Sequence, residues 1–218
     1  MFIKPKAARH MTVIKYGVFE AQKGQIDSKQ VNLLGDLNIF YSKEVMSTVL
    51  VPIITQKDSL SLRVLDWLVT NYAKKNSIVY RHRNASADSG DPGYCLINVY
   101  SQYKSWLRNY RRRNFDPFRR RNRIHFTHEG ERYETTVGQL NFIRWSHMYG
   151  VLEYTRTHLE VIETDMNKCL NDVREQKTMD KRQNVHRKRK ELSNHPIKKC
   201  FVYHVEGTSP KRVRPSVS

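Results

Sequence analysis

The spacing of apolar and polar positions divides the chain into short strands and amphipathic helices. Two early runs, VNLLGDLNIFYS (31–42) and STVLVPIIT (47–55), are dense in apolar residues, and we expect β-strands there. Pro52 lacks a backbone N–H, so the second run is expected at a sheet edge or at the end of a strand. TVIKYGVF (12–19) predicts another short strand, which follows a basic extended arm over residues 1–11.

Helical spacing first becomes strong after Ser59, a candidate N-cap residue. The apolar positions of this helix recur on one face and are Leu62, Leu65, Leu68, Val69 and Tyr72. A strand is expected over 77–83. The next segment, 84–93, is rich in turn-forming residues and predicts a loop. A second helix should follow and end at about Arg112.

The second half of the chain predicts a β-hairpin and then a capped helix. RIHF (123–126) and RYETT (132–136) flank a turn in which Gly130 can adopt positive φ. The sequence from Thr136 to Gln139 matches a capping box, in which two side chains satisfy backbone N–H groups at the start of a helix. Gly150 suits the position just beyond the end of that helix.

The last helix is expected to run from Val151 or Thr157 to Glu175. Its narrow apolar seam consists of Leu159, Ile162, Met166, Leu170 and Val173. Residues 176–218 lose this spacing and become polar and basic, so we expect a tail that a partner orders. The predicted fold class is therefore α+β, a body of three or four helices with short antiparallel strands over 12–175, flanked by extended basic termini.

Composition excludes some classes of protein. The 39 Lys and Arg residues against 21 Asp and Glu residues give a net charge of +18. No run approaches the roughly 18 apolar residues of a membrane span. The first residues lack the apolar core of a secretory signal. The cysteines are odd in number and far apart, which favours a reducing compartment over a disulfide framework. We expect neither a transmembrane nor a secreted protein.

The excess charge is concentrated in two segments. Residues 104–123 hold nine basic residues against one acid, and residues 174–218 hold thirteen against four. The remainder of the chain is close to neutral. Such clusters attract polyanions, among them nucleic acid, acidic proteins and anionic lipid. A solvated surface that only keeps the chain soluble is the simpler interpretation.

The first cluster contains eight arginines and no lysine over residues 108–123, which favours a binding surface. A guanidinium group pairs with phosphate or carboxylate through two parallel hydrogen bonds, which an ammonium group cannot do. We name this candidate polyanion- or partner-binding surface the arginine ridge; its members are Arg108, Arg111, Arg112, Arg113, Arg119, Arg120, Arg121 and Arg123. Arg111–113 are expected to close a helix, and Phe115 and Phe118 to anchor the turn at Pro117 in the body.

The second cluster is a candidate nuclear-import or phosphate-binding tail. Its basic residues include Lys181, Arg182, Arg187, Lys188, Arg189 and Lys190. Short basic runs of this kind match often by chance, and a phosphate-binding tail needs no import receptor. We expect its charges to be interchangeable, unlike those of the ridge.

The sequence offers no catalytic constellation, so we expect no catalytic residues, no metal and no cofactor. His125 and His128 have the spacing of metal ligands, but no second pair completes a zinc site. On the predicted hairpin their odd separation places them on opposite faces. No nucleophile elbow, kinase motif or phosphate loop is present. An enzyme with an unrecognised site stays open as a weaker interpretation.

Three segments resemble a family found in large icosahedral DNA viruses of chlorella-virus, iridovirus and marseillevirus types. They are LDWLVTNYAKKNSIVYR (65–81), YSQYKSWLRNYRRRNFDPFRRRNRIHF (100–126) and ETTVGQLNFIRWSHMYGVLEY (134–154). The most specific parts are NFDPF with its flanking arginines and TTVGQLNF. The resemblance implies a virion-associated, minor capsid role rather than an enzyme, and it carries over no catalytic residue.

The expected function is that of a non-enzymatic virion structural protein, a minor capsid component beneath the major capsid shell. Its expected partners are the major capsid protein and other minor capsid subunits, with viral DNA or the inner-membrane surface as further candidates. It would lie in the virion, inside the shell, and in host cytoplasm or nucleus during assembly. The alternative is a viral nucleic-acid-binding protein for genome packaging or transcription.

Overall fold

The computed structural model describes residues 12–83 and 93–182, with only the backbone for 180–182. Its strands are β1 (Val13–Tyr16), β2 (Phe19–Gln22), β3 (Val79–Arg83), β4 (Tyr94–Asn98), β5 (Arg123–His128) and β6 (Glu131–Thr136). Its helices are α1 (Ser28–Phe40), α2 (Lys43–Val45, the π-helical turn Met46–Leu50 and Val51–Ile54), α3 (Leu62–Trp67, the π-helical turn Leu68–Tyr72 and Ala73–Asn76), α4 (Val99–Asn114), α5 (Val137–Met148), α6 (Val151–Thr157) and α7 (Leu159–Arg182). The α+β class is confirmed, with seven helices among these residues where the sequence predicts three or four.

The contacts divide the chain into two compact units. Unit 1 falls within Met1–Lys57 and Tyr110–Trp145, and unit 2 within Asp58–Asn109 and Ser146–Ser218. Each unit contains a small antiparallel sheet. Unit 1 has four strands in the order β1-β2-β5-β6, and unit 2 has the pair β3-β4.

The sheet of unit 1 corrects one sequence prediction and confirms another. The single strand expected over 12–19 is present only over Val13–Tyr16, because the chain turns at Gly17, which has φ +65°, and Phe19 begins β2 antiparallel to β1. The predicted hairpin of β5 and β6 is present, and Gly130 has φ +83° in its turn. Phe19 pairs with Phe126 across β2 and β5, and their rings are 5.8 Å apart in the core of the unit.

Helix α1 shows that the strand predicted over 31–42 is wrong. Asp27 and Gln30 form a capping box: Asp27 Oδ1 accepts a hydrogen bond from the Gln30 N–H at 2.8 Å, and Gln30 Oε1 accepts one from the Asp27 N–H at 3.4 Å. The buried residues of the helix have helical spacing and are Gln30, Leu33, Leu34 and Leu37. Burial of one face together with this cap outweighs the local apolar density that suggested a strand.

The strand predicted over 47–55 is also wrong, because this segment forms most of α2. Ser42 caps the helix by accepting a hydrogen bond from the Val45 N–H at 3.3 Å. The π-helical turn Met46–Leu50 precedes Pro52, which has no N–H to donate to the preceding turn, and a wider turn is a common adjustment at such a site. No single described helix is long and apolar enough to cross a membrane; the pair Ser28–Phe40 and Lys43–Ile54, bent by 92°, meets that test of length and composition only when taken together.

Unit 2 is built on the packing of α3 against α7. The N-cap of α3 is Ser61, whose Oγ accepts a hydrogen bond from the Val64 N–H at 3.2 Å, so the predicted cap at Ser59 is wrong by two positions. In the predicted seam of α7, Ile162 and Met166 are buried. The other three seam residues, Leu159, Leu170 and Val173, are half-buried. The helix continues to Arg182, beyond its predicted end at Glu175.

A hydrogen-bonded group joins α3 and α7. Asp165 on α7 accepts a hydrogen bond from Trp67 Nε1 at 3.0 Å through Oδ2, and its Oδ1 lies 2.5 Å from Lys75 Nζ. The Asp165 side chain is 15% exposed and that of Lys75 is 38% exposed. The hydrogen bond to Asp165 is the main cause that raises the pKa of Lys75. One carboxylate therefore satisfies two donors from the facing helix.

The strand predicted over 77–83 is confirmed as β3, and its inner face is held firmly. Tyr80 Oη donates to the carbonyl oxygen of Tyr149 at 2.8 Å, and its ring stacks on Tyr154 at 5.1 Å. His82 Nε2 lies 3.0 Å from a backbone carbonyl of α5. Gly150 has φ +67°, and a Cβ there would lie 2.6 Å from His82 Nδ1. A side chain at this position would therefore strain the backbone and clash with the imidazole ring of His82. Apart from its last residue, the loop predicted over 84–93 lies outside the described residues.

Candidate functional site

The arginine ridge surrounds a chain segment that is fixed to the core of unit 1. Phe115 is 1% exposed, and its ring lies 5.4 Å from that of Phe142 and 5.6 Å from that of Trp145, both on α5. Phe115 therefore anchors the segment, as the sequence predicts. Removing such a ring would leave a cavity among aromatic side chains that cannot collapse easily.

Two amide side chains hold the residue before this anchor. Asn114 Oδ1 accepts a hydrogen bond from Gln30 Nε2 at 3.0 Å. The backbone carbonyl of Asn114 accepts another from Asn141 Nδ2, also at 3.0 Å. Gln30 and Asn141 are both buried and Asn114 is half-buried, so these bonds are partly shielded from water. The end of α4 is thus fixed to both α1 and α5.

The turn after Phe115 is fixed to the first turn of α5. The Asp116 N–H donates to the carbonyl of Gly138 at 3.2 Å, and Asp116 Oδ1 accepts a hydrogen bond from the Phe118 N–H at 2.8 Å. The Arg119 N–H donates to the carbonyl of Asp116 at 3.3 Å. A Cβ at Gly138 would lie 3.2 Å from the carbonyl oxygen of Arg113, a tight contact that would push the two segments apart by a few tenths of an ångström.

The predicted role of Phe118 as a second anchor is wrong. Its side chain is 48% exposed, whereas the neighbouring Pro117 is buried. The hydrogen bond from the Phe118 N–H to Asp116 Oδ1 closes a tight turn, and Pro117 rather than Phe118 contacts the body. An apolar ring is therefore displayed between two groups of arginines.

The ridge is interrupted at Arg111, which does not close a helix as predicted. Its backbone has φ 58° and ψ 162°, a region that glycine adopts but residues with a side chain rarely do. Arg108 lies before this break, on the part of α4 that belongs to unit 2. The other seven ridge arginines belong to unit 1.

Two ridge arginines have acidic partners within unit 1. Arg113 Nη1 lies 3.0 Å from Asp27 Oδ2. Arg123 pairs with Glu134 across β5 and β6, and its Nε also donates to the carbonyl of Arg120 at 3.2 Å. Both ion pairs are partly exposed, and they position the guanidinium groups more than they stabilise the fold.

The remaining ridge arginines make no ion pair with any described residue; they are Arg108, Arg111, Arg112, Arg119, Arg120 and Arg121. Arg119 is the most enclosed of them. Its Nε is buried and has no hydrogen-bond partner in the described part of the chain. A buried N–H without an acceptor is unusual in proteins, and because this atom is inaccessible to solvent it does not itself face a partner.

Arg111→Gly should stabilise the protein although it removes a charged side chain. Glycine adopts φ 58° and ψ 162° freely, so the substitution removes backbone strain from the folded state. This gain should exceed the cost of the greater entropy of glycine in the unfolded chain, and the free energy of unfolding should rise by about 1 kcal/mol. Urea denaturation followed by circular dichroism would measure the change. The control is Arg112→Gly, which removes the same charge at a helical residue and should destabilise by about 0.5–1 kcal/mol. Equal losses in both variants would contradict the strain at Arg111.

The remaining candidates from the sequence are not brought together at this surface. Lys181 and Arg182 end α7, and the other tail residues, Arg187, Lys188, Arg189 and Lys190, lie outside the described residues. His125 and His128 are on opposite faces of β5, as predicted. His128 Nε2 is 2.9 Å from Ser47 Oγ. In the described ranges, no three His, Cys, Asp or Glu side chains are grouped so that they could hold a metal ion.

Sequence reasoning missed the residues that support the ridge. Gln30 had a usable signal, because Asp27 and Gln30 have the spacing of a capping box. Gly138 lies inside the capping motif that opens α5, but nothing in that motif indicates a close approach of α4. Asn141 had no signal, because its bond to Asn114 joins residues that are far apart in sequence.

Fold and surface together define a small α+β protein with an arginine-rich surface on a rigid turn. The chain belongs to the family of unknown function DUF7197, which it matches over residues 18–203. A mimivirus relative, "Uncharacterized protein L507" of Acanthamoeba polyphaga mimivirus, is 29% identical over 165 residues, which cover 72% of this chain and 61% of that protein. The chain thus spans less than two thirds of that relative's length. No solved structure matches the chain. The source of this relative agrees with the resemblance to proteins of large DNA viruses. Its name assigns no role in a capsid.

Proposed function

We propose that this protein is a non-enzymatic structural component of a large DNA virus, a minor capsid protein that binds neighbouring subunits beneath the major capsid shell. The observation that supports this proposal most is the exposed ring of Phe118 between arginines that have no acidic partner among the described residues. Phe118 would enter an apolar pocket on the neighbour, and the arginines would contact acidic residues around it. Aromatic residues and arginine are enriched at protein interfaces, and they are enriched among the residues that contribute most to the binding energy.

The rigidity of the turn favours a binding role over a purely solvated surface. Phe115 is buried, and the backbone of Asp116 is bonded to α5, so little chain entropy remains to be lost on binding. The guanidinium groups of Arg119, Arg120 and Arg121 follow directly after this fixed turn. Guanidinium groups at these positions can form forked hydrogen bonds with carboxylates, which fix the orientation of a partner.

Replacing the three arginines by lysine tests the proposal at constant charge. Arg119→Lys, Arg120→Lys and Arg121→Lys together should reduce incorporation of the protein into virus particles, because lysine cannot form forked hydrogen bonds. Arg187→Lys with Arg189→Lys in the tail is the control and should leave incorporation unchanged. Quantitative immunoblotting of purified particles would measure both. Equal incorporation of the two variants would leave only bulk charge and contradict the proposal.

The position of the protein in the particle is a second test. A capsid component should have a fixed copy number for each facet of the shell and should stay with the shell when the particle is opened. Copies that leave together with the genome would contradict the capsid role. Mass spectrometry of the shell and genome fractions would decide between these outcomes.

The second candidate function is nucleic-acid binding during genome packaging or transcription. The eight arginines without a lysine over residues 108–123 favour it, since a phosphate accepts forked hydrogen bonds as well as a carboxylate does. Binding to duplex DNA should then weaken with salt, by about 0.9 in the log–log slope for each phosphate contacted. Replacing Arg119, Arg120 and Arg121 by glutamine should lower this slope, and a slope equal to that of the unmodified chain would contradict this candidate.

A further inference from the structure

We propose that the outer face of the β3–β4 hairpin in unit 2 is a binding surface for single-stranded nucleic acid. We name this surface the hairpin face; it is formed by Arg81, Arg83, Tyr94 and Leu96. It involves no residue of the arginine ridge and does not depend on the capsid role proposed above.

The pairing of the two strands places these four residues on one side. Arg81 pairs with Leu96 and Arg83 pairs with Tyr94, and paired residues of an antiparallel sheet point to the same face. The alternate positions of β3, Tyr80 and His82, point to the inner face, where they bond to the backbone around Tyr149. The hairpin is therefore fixed on one face and open on the other.

The hairpin face exposes two large apolar side chains to solvent. Tyr94 is 58% exposed and Leu96 is 57% exposed. Arg81 and Arg83 are also exposed, and neither makes an ion pair with a described residue. Within β3 and β4 no acidic residue is present. An exposed aromatic ring beside two positive charges that have no acidic partner among the described residues favours a partner that is both flat and anionic.

Arg81 and Tyr94 already form part of such a site. The Cζ atom of Arg81 lies 4.9 Å from the centre of the Tyr94 ring, which is a cation–π distance. The guanidinium group thus covers part of one ring face, and a base can stack on the remaining exposed surface of the tyrosine. Arg81 and Arg83 are two residues apart on a strand, so their Cα atoms are about 6.6 Å apart. This separation allows both to contact successive phosphates of one extended strand.

A single strand fits these features better than the other anionic partners. In a duplex the faces of the bases are covered by their neighbours, so Tyr94 could contact only backbone and groove. An acidic peptide could pair with Arg81 and Arg83, but its carboxylates would leave the tyrosine ring without a flat partner. Aromatic side chains combined with arginine are the usual elements of sequence-independent single-strand binding.

The test compares variants of the full chain for binding to a short fluorescein-labelled oligo(dT) strand, measured by fluorescence anisotropy. Tyr94→Ala should weaken binding by about 5- to 150-fold, the range expected for loss of one stacked base. Tyr94→Phe keeps the ring and should bind within about threefold of the unmodified chain, which separates stacking from a hydroxyl contact. Circular dichroism of each variant checks that the fold is retained.

Charge variants test the phosphate contacts separately. Arg81→Gln with Arg83→Gln should lower the slope of log affinity against log salt by about 1.4, since each single-strand phosphate contributes about 0.7. Arg63→Gln is the matched control, because Arg63 is an exposed arginine of the same unit on α3. It should leave the slope unchanged. Photocrosslinking of an iodouracil-substituted strand should also place the attachment on β4.

Three results would overturn the proposal. The first is Tyr94→Ala binding oligo(dT) as tightly as the unmodified chain. The second is that Tyr94→Ala loses equal affinity for oligo(dT) and for a duplex of the same length, which would show that the Tyr94 ring does not stack on a base. The third is a poly-glutamate peptide whose binding depends on Arg81 and Arg83 while oligo(dT) binding does not, which would assign the face to an acidic protein. Failure of the ridge variants in particle incorporation would leave this proposal unaffected.

Discussion

Phe115→Ala is expected to lower the free energy of unfolding by about 3–5 kcal/mol, the usual range for removing a buried phenylalanine. The ring is 1% exposed and packs between Phe142 and Trp145, two large aromatic side chains that are themselves fully buried. Little of the cavity left by the ring could collapse. Urea denaturation followed by circular dichroism would give the change.

Phe118→Ala is the matched control for this prediction. It makes the same chemical change three residues away, but the ring is 48% exposed, so the loss should be less than about 1 kcal/mol. The two variants also separate stability from binding. Phe118→Ala should leave the fold intact and weaken incorporation into particles, whereas Phe115→Ala should impair both. Equal losses of stability would contradict the assignment of Phe115 as the anchor.

Asp165→Ala is expected to produce the second largest loss, about 2–3 kcal/mol. Its carboxylate accepts hydrogen bonds from Trp67 and Lys75, and removing it leaves the partly buried indole N–H without its acceptor. Lys75 is 38% exposed, so water replaces part of its interaction, and the loss should stay below that of a fully buried ion pair. Thermal unfolding would measure the change. Asp172→Ala, an exposed carboxylate on the same helix, is the control and should change stability by less than about 0.5 kcal/mol.

The same group predicts a pH dependence. The hydrogen bond to Asp165 raises the pKa of Lys75, so the folded state holds this proton more tightly than the unfolded chain does. The contribution to stability is therefore fully present below the ordinary lysine pKa of about 10.4 and is lost as pH rises through the folded value. The stability difference between the unmodified chain and Asp165→Asn should narrow in that alkaline range. A constant difference up to the point of alkaline unfolding would contradict the role assigned to Lys75.

Local patterns predicted the elements whose signals are local. The β5–β6 hairpin follows from two short runs around Gly130, and the buried part of α7 follows from the spacing of Ile162 and Met166. Helices α1 and α2 were missed because apolar density was given more weight than capping. Asp27 with Gln30 had the spacing of a capping box before α1. Periodicity alone does not distinguish a short, continuous apolar run in a buried strand from a buried segment of helix.

The candidate site was predictable in composition but not in geometry. Eight arginines around Pro117 are visible in the sequence, yet Phe115 and Phe118 flank the same Asp-Pro pair and look equivalent there. Which of them is buried depends on Phe142 and Trp145, which are distant in sequence. Strand β4 was missed for a related reason. Its Tyr94 and Leu96 are apolar residues on an open face, so the strand lacks the alternation of apolar and polar positions that marks a half-buried strand.

The division of the chain into two units has a consequence for its synthesis on the ribosome. Unit 1 is built from two stretches separated by Asp58–Asn109, and unit 2 resumes only at Ser146. Strand β2 is therefore synthesised long before β5, its neighbour in the sheet. One edge of β2 has no partner strand while all of Asp58–Asn109 is translated. Nascent chains in this interval carry an open strand edge and half of an aromatic core, both of which favour aggregation. No truncation at either end can isolate a complete unit, so a separate unit 1 would have to be made by joining its two stretches directly.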